Sequence, residues 1–146
     1  MSSKIKIIEC PRDAMQGIKE FIPTTQKAQY IQSLLRCGFD TIDFGSFVSP
    51  KAIPQMVDTA QVLDLLDLSR TQTKLLAIIA NLRGAEDAVK HAQIDYLGYP
   101  FSISENFQMR NTHKTIDQSI EVLQQILELA QKHDKEVVTY LSMGYL

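Results

Sequence analysis

The sequence predicts an α/β fold in which five parallel strands alternate with helices. Short apolar runs bounded by turn residues recur along the 146-residue chain, and segments with apolar residues three and four positions apart separate them. The third run, 74–79, is apolar after its first residue, as in a parallel strand covered on both faces. Strict alternation of strand and helix is typical of helical crossovers between parallel strands.

The apolar runs predict five strands. In the first run Ile5, Ile7 and Ile8 are apolar, and Pro11 ends it because proline cannot donate to a strand ladder. The predicted strands cover residues 4–9, 41–44, 74–79, 94–99 and 136–141.

Four helices are predicted between these strands. The first has Thr24 or Thr25 as its N-cap and Gly38 at its stopping position. Stripes at helical spacing mark the second helix (Ile53, Met56, Ala60, Leu63, Leu66) and the last (Ile116, Ile120, Leu123, Leu127, Ala130). The predicted helices cover about 25–37, 53–66, 85–92 and 116–130, and 104–111 is predicted to be a polar loop with Phe107 buried.

Two architectures satisfy this order of elements: a (β/α)8 TIM barrel and an open parallel α/β sheet. The segment after the first strand lacks the glycines of a dinucleotide-binding turn. Polar residues follow every predicted strand: Arg12, Asp13, Asp43, Ser46, Asn81, Ser102, Ser104, Glu105 and Ser142. A barrel brings such loops together at its carboxyl-end face, where barrel enzymes keep their chemistry. The pattern therefore favours a barrel, with the open sheet as the alternative.

The chain length predicts only part of such a barrel. A complete one takes about 250 residues, so residues 1–146 form a single partial domain containing strands one to five. If about eight inner apolar side chains lose their cover, the loss is on the order of 12–24 kcal/mol, against a domain stability of about 5–15 kcal/mol. We therefore expect a homo-oligomer or a missing carboxyl-terminal half to cover the open face.

Composition excludes several other classes of function. The net charge of −2 provides no basic field for nucleic acid or an anionic membrane surface, and no run approaches the roughly 20 apolar residues of a membrane span. Nothing ahead of the first strand resembles a signal or transit peptide, so a cytoplasmic location is expected. Cys10 and Cys37 fall on different elements and are expected to be reduced packing residues.

Two strings carry a resemblance to a known family. Pro11-Arg12-Asp13-Ala14-Met15-Gln16 follows the first strand, and Ser46-Phe47-Val48-Ser49-Pro50-Lys51-Ala52-Ile53-Pro54-Gln55-Met56 follows the second. Together they resemble the 3-hydroxy-3-methylglutaryl-CoA lyases of the metal-dependent lyase and Claisen-type synthase superfamily. The Arg-Asp-x-x-Gln spacing also occurs in isopropylmalate and citramalate synthases, and the second string selects the lyase branch. The resemblance implies retro-Claisen cleavage of an acyl-CoA substrate to acetoacetate and acetyl-CoA.

The resemblance also implies roles for residues of the first two strands and their loops. Asp13 matches the family's metal ligand, which binds Mg²⁺ or Mn²⁺, and Arg12 matches the arginine that faces the thioester oxygen. Gln16 would bind the substrate or orient Asp13, and Ser46 would bind the substrate. Asp43 stands where the family usually has Glu, and we expect it beside the metal's ligands rather than on the metal.

Further substrate contacts are expected after the fourth strand, where Ser104 and Asn111 match the family's spacing. The family completes its metal site with a His-x-His pair and an asparagine from later strands, and the isolated His91, His113 and His133 do not supply that pair. Two functions therefore stay open. The first is a hydroxymethylglutaryl-CoA lyase, and the alternative is a truncated, inactive fragment that persists as an oligomer or as half of a split barrel.

Overall fold

The computed structural model describes residues 5–145, whose five strands form one all-parallel sheet. The strands are β1 (Ile8–Glu9), β2 (Thr41–Ser46), β3 (Lys74–Ile78), β4 (Tyr96–Ser102) and β5 (Glu136–Ser142). Each strand pairs with the next one along the chain, in the order β1-β2-β3-β4-β5. A doubly wound open sheet reverses its strand order at a switch point, whereas a barrel wall runs in sequence. The prediction of a partial barrel is confirmed and the open alternative is excluded.

Six helices and one 3-10 turn connect these strands and pack on the sheet. They are α1 (Pro11–Gln16), α2 (Thr24–Leu35), the 3-10 turn Pro54–Met56, α3 (Thr59–Asp64), α4 (Leu82–Ala88), α5 (Glu105–Thr112) and α6 (Ile116–Lys132). The core includes Ile31, Leu35, Ile42, Phe44, Leu63, Leu75, Ile79, Leu97 and Ile126. Each such side chain contributes about 1.5–3 kcal/mol when fully buried. This packing fixes the strand ends from which the loops extend.

The first and fourth strands differ from their predicted bounds. Of the predicted strand 4–9, Lys4 lies outside the described residues, Ile5 and Ile7 are exposed, and only the last two residues pair with β2. At the fourth strand, the Asp95 carboxylate accepts a hydrogen bond from the Leu75 amide at 2.9 Å. Strand β4 begins at Tyr96 and ends at Ser102, against predicted bounds of 94–99, while the fifth strand is confirmed with one added residue.

The helix ends differ where side chains take other partners. Thr24 is the first helical residue rather than the cap, because its hydroxyl donates to Asp58 at 2.8 Å. Helix α4 begins three residues earlier than predicted because the Asn81 side chain caps it, accepting from the Gly84 amide at 2.9 Å. The predicted second helix is interrupted after the 3-10 turn and resumes as α3.

Two short helices were not predicted at all. Helix α1 occupies the segment expected to be a loop after β1, and α5 occupies the segment expected to be a polar loop. In α5, Ser104 is the N-cap and Phe107 is exposed rather than buried. The last predicted stripe is partly confirmed: Leu123 and Ala130 of α6 pack against the core, whereas Ile120 and Leu127 are exposed. Ser119 and Ile126, which were not in the predicted stripe, are also buried on the side of α6 that covers β4 and β5.

Two composition-based expectations can be compared with the described residues. Cys10 and Cys37 are both exposed free thiols, so the prediction that they pack in the core is wrong. Across residues 5–145, every helix is too short or too polar to cross a membrane.

Candidate functional site

The carboxyl end of β2 and helix α1 bring four of the sequence-predicted residues together. The Arg12 guanidinium donates from Nη2 to the Asp43 carboxylate at 2.6 Å and from Nε to both of its oxygens at 3.2 Å. Its Nη1 donates to Gln16 Oε1 at 2.8 Å and to Asp13 Oδ1 at 3.2 Å, and Gln16 Nε2 donates to Asp13 Oδ1 at 3.3 Å. We call these four residues the Arg12 cluster.

Burial divides the two carboxylates of the Arg12 cluster into different roles. The Asp43 side chain is 1% exposed and Arg12 13%, whereas Asp13 is 66% exposed. Burial raises the pKa of the Asp43 carboxyl, and the hydrogen bond and charge of Arg12 oppose that shift. Burial acts to lower the pKa of Arg12, but the hydrogen bond and charge of Asp43 outweigh it and raise that pKa. Asp43 therefore orients Arg12, and Asp13 is the carboxylate that faces solvent.

Tyr140 of β5 interacts electrostatically with the Arg12 cluster. Its role could not be predicted from the sequence. Its ring lies on the inner face of the sheet against Gly98, and a Cβ added at Gly98 would lie 3.1 Å from Cε2 of the ring. Burial, followed by the negative charges of Asp43 and Cys10, raises the pKa of Tyr140 to about 12. The curvature of the sheet thus brings a β5 side chain into the field of a β2 carboxylate.

We expect the Tyr140 phenol to stay neutral where an ordinary phenol ionises. Because folding raises the pKa of Tyr140, its neutral phenol contributes to the stability of the folded state. This contribution is fully present below about pH 10 and is lost as the pH rises towards 12. The measurement is a ¹³C NMR titration of the tyrosine rings, with Tyr140→Phe assigning the resonance. At pH 10.5, where roughly three quarters of an unperturbed phenol is ionised, Tyr140 should still show its neutral shift. An ionised Tyr140 ring at that pH would contradict this coupling.

Ser46 ends β2 and is fixed by its own loop. Its Oγ accepts from the Val48 amide at 3.1 Å, and the Thr59 hydroxyl lies 3.0 Å from both the amide nitrogen and the carbonyl oxygen of Ser46. Thr59 reaches this position because Gly45 has no side chain; a Cβ there would lie 2.5 Å from Thr59 Cγ2. Ser46 is buried, so its predicted role in substrate binding stays a prediction.

Replacing Gly45 with Ala is expected to lower the free energy of unfolding by about 1–3 kcal/mol, since the new methyl must displace Thr59. The matched control is Gly17→Ala, because a Cβ at Gly17 meets nothing within 4 Å and its φ is −86°. That control should be neutral or stabilising by about 0.4–1 kcal/mol. Urea unfolding measures the free energy of unfolding of both variants. Equal changes in the two would contradict the close approach of Thr59 to Gly45.

Ser104 and Asn111 lie on the loop and helix that follow β4. Ser104 Oγ caps α5, and its amide donates to Ser102 Oγ at 3.1 Å. Ser102 Oγ in turn donates to the Ser142 carbonyl of β5 at 3.3 Å. Asn111 is exposed on α5. Among the hydrogen bonds of residues 5–145, none joins Ser46, Ser104 or Asn111 to the Arg12 cluster.

Asp13 of the Arg12 cluster fits the role of one ligand in a divalent-metal site. Asp13 is a solvent-facing carboxylate, the type of ligand that Mg²⁺ and Mn²⁺ prefer. Within residues 5–145, however, no group of three or more His, Cys, Asp or Glu side chains could hold a metal ion. Asp13 can therefore act as one ligand, and most of the remaining ligands would have to come from outside the described residues.

Comparison with known proteins connects this geometry to lyases. The chain is 33% identical over 143 residues to a 3-hydroxy-3-isohexenylglutaryl-CoA/hydroxy-methylglutaryl-CoA lyase of Pseudomonas aeruginosa, covering 97% of this chain and 47% of that protein. The solved HMG-CoA lyase of Bacillus subtilis superposes with a TM-score of 0.88 at 32% identity, covering 94% of this chain and 46% of that one. An Acinetobacter baumannii HMG-CoA lyase solved with coenzyme A and 3-methylmalate gives 0.85 at 31% identity, covering 93% and 44%.

The chain thus spans less than half the length of these relatives. The family model described as HMGL-like matches residues 4–144, which is nearly the whole chain. On this match and on the shared half-barrel, the chain belongs to the HMGL-like family.

Proposed function

We propose that this chain supplies the Arg12–Asp13 part of a metal-dependent lyase site. The reaction is retro-Claisen cleavage of 3-hydroxy-3-methylglutaryl-CoA to acetoacetate and acetyl-CoA. One observation carries the proposal: a buried carboxylate holds Arg12 beside the exposed Asp13 at the carboxyl end of the parallel strands. This is the end of a barrel where catalytic residues collect. Membership of the HMGL-like family and the names of the similar lyases support the reaction class.

Arg12 is suited to stabilise the enolate that leaves when the carbon–carbon bond breaks. A guanidinium has five N–H groups. Four of them donate to Asp13, Gln16 and Asp43: both N–H groups of Nη1, the N–H of Nε and one N–H of Nη2. The second N–H of Nη2 has no partner among the described residues. A fixed, charged donor near a thioester oxygen stabilises negative charge as it develops. We assign this N–H to the thioester oxygen of the substrate.

Asp13 would bind Mg²⁺ or Mn²⁺ through the side of its carboxylate that Arg12 and Gln16 leave free. When bound, such a cation polarises substrate oxygens as a Lewis acid. Gln16 donates to Asp13 and accepts from Arg12, so it fixes the two catalytic groups relative to each other. The substrate roles of Ser46, Ser104 and Asn111 belong to this proposal as well.

The proposed site needs more ligands than residues 5–145 provide. We infer that a second copy of the chain or a carboxyl-terminal half of the barrel completes it. Each outer strand has an exposed apolar side chain, Ile8 on β1 and Leu141 on β5, which supports the inference that another chain or segment covers these strands. The cytoplasmic location predicted from the sequence stays a prediction.

Metal titration of the protein isolated in its native assembled form tests the proposal. Stoichiometric binding of Mn²⁺, one ion for each Asp13, is the expected result, and intact mass measured on the same sample identifies what completes the barrel. Absence of binding at millimolar Mn²⁺ would favour the alternative, an inactive fragment of the family that persists as an oligomer or as half of a split barrel.

A further inference from the structure

The segment that joins α1 to α2 is held by a buried side chain outside the Arg12 cluster. Gln55, in the 3-10 turn after β2, is almost fully buried. Its Oε1 accepts from the Ile22 amide at 2.9 Å, and its Nε2 donates to the carbonyls of Ile18 and Glu20, each at 2.9 Å. All three hydrogen bonds of one amide are therefore made to residues 18–22 of the segment that joins α1 to α2.

The backbone of Gln55 is fixed in turn by a buried ion pair. Lys27 of α2 is 2% exposed and donates to Asp58 Oδ1 at 2.7 Å and to the Gln55 carbonyl. Its Nζ lies 4.0 Å from the centroid of the Phe21 ring, within the range of a cation–π contact. Asp58 Oδ2 accepts from Thr24 at 2.8 Å. Lys27 of α2 therefore fixes the backbone of Gln55, and the Gln55 side chain binds the segment between α1 and α2.

Helix α1 depends on such external anchors for its position. It has six residues and no side-chain N-cap, and an isolated helix of that length is not stable in water. Its first turn is tied to β2 by the Arg12–Asp43 ion pair. Its last turn leads into Ile18, whose amide donates to the Met15 carbonyl at 3.0 Å and whose own carbonyl is bound by Gln55. The two ends of α1 are therefore held by two different contacts.

We propose that Gln55 is a positioning residue for the Arg12 cluster. By fixing the segment after α1, its side-chain amide sets the orientation of that helix and thereby the reach of Arg12 and Asp13. The consequence for catalysis rests on the proposed lyase function, whereas the effect on the Arg12–Asp43 ion pair does not.

The test compares two glutamines that each hold a remote backbone segment. Gln32 of α2 donates to the Asp67 carbonyl at 3.0 Å and accepts from the Asp67 amide at 2.7 Å, and none of its hydrogen bonds among the described residues reaches α1. The variants are Gln55→Met and Gln32→Met, which keep side-chain length and remove the amide. The readout is the NMR exchange rate of the Arg12 Nε proton with water, since this proton is held by Asp43.

Gln55→Met is expected to speed exchange of that proton by at least about tenfold through local opening, with the β3 amides unchanged. Gln32→Met should leave it within about twofold. Equal rates in the two variants, or a gain shared by the β3 amides, would overturn the positioning role. If Gln55→Met does not fold, Gln55→Asn replaces it, because an amide one methylene shorter cannot reach all three partners. This readout requires no turnover, so it fails or succeeds independently of the lyase proposal.

Discussion

Replacing Lys27 with Met should lower the free energy of unfolding by about 3–5 kcal/mol, the usual loss when one partner of a buried ion pair is removed. The ammonium is 2% exposed and its partner Asp58 is 9% exposed. Methionine keeps the length of the side chain but leaves the Asp58 charge buried with Thr24 as its remaining side-chain donor. The Gln55 carbonyl also loses its contact with Lys27. Urea unfolding followed by circular dichroism measures the change.

The matched control is Lys90→Met. Lys90 contacts Asp87 at the same 2.7 Å as the Lys27–Asp58 pair, but its side chain is 69% exposed. Exposed ion pairs contribute about 0–1 kcal/mol because water screens them. We therefore expect a large difference in the loss of unfolding free energy between the two variants, although both remove a Lys–Asp contact of the same length. Similar losses in both would show that burial does not determine the strength of the Lys27 contact.

Asp13→Asn should reduce lyase turnover on the order of a thousandfold, which corresponds to about 4 kcal/mol of transition-state stabilisation. The amide keeps an oxygen that can accept from Arg12 but lacks the negative charge with which a carboxylate attracts Mg²⁺ or Mn²⁺. Because Asp13 is 66% exposed, the fold should be unaffected. Turnover of the native assembled protein is measured as acetyl-CoA released from 3-hydroxy-3-methylglutaryl-CoA.

Asp117→Asn is the control for that variant, since Asp117 is an exposed acid in the first turn of α6, away from the Arg12 cluster. It should retain full turnover. Wild-type turnover by Asp13→Asn, at unchanged melting temperature, would remove Asp13 from the mechanism.

Strand β3 could be predicted because it is apolar and buried after its first residue, and β5 because it is rich in β-branched and aromatic residues although it is only partly buried. Strands β3 and β5 were predicted within one residue. Helix α1 could not be predicted, because its six residues are too few to show a helical period and contacts far away in the sequence hold it. Two members of the stripe predicted for α6, Ile120 and Leu127, are exposed for a related reason. An apolar residue such as Leu127 indicates a covered face only where a neighbouring element is present to cover it.

The Arg12 cluster was predictable from its motif, but the geometry of its parts was not. Asp43 was expected beside the metal's ligands, a role that stays a prediction, and its ion pair with Arg12 could not be read from the motif. Gln55 stood inside a motif already singled out, yet its bonds reach segments 33 to 37 residues away. Tyr140 carried no motif at all, and only the curvature of the sheet relates it to β2.

The most direct test of the proposed lyase function is the product ratio formed by the native assembled protein from 3-hydroxy-3-methylglutaryl-CoA in the presence of Mn²⁺. We predict equal amounts of acetoacetate and acetyl-CoA, with loss of both after chelation of the metal. No acetoacetate with Mn²⁺ present and the fold intact would contradict the lyase function and leave an inactive member of the family.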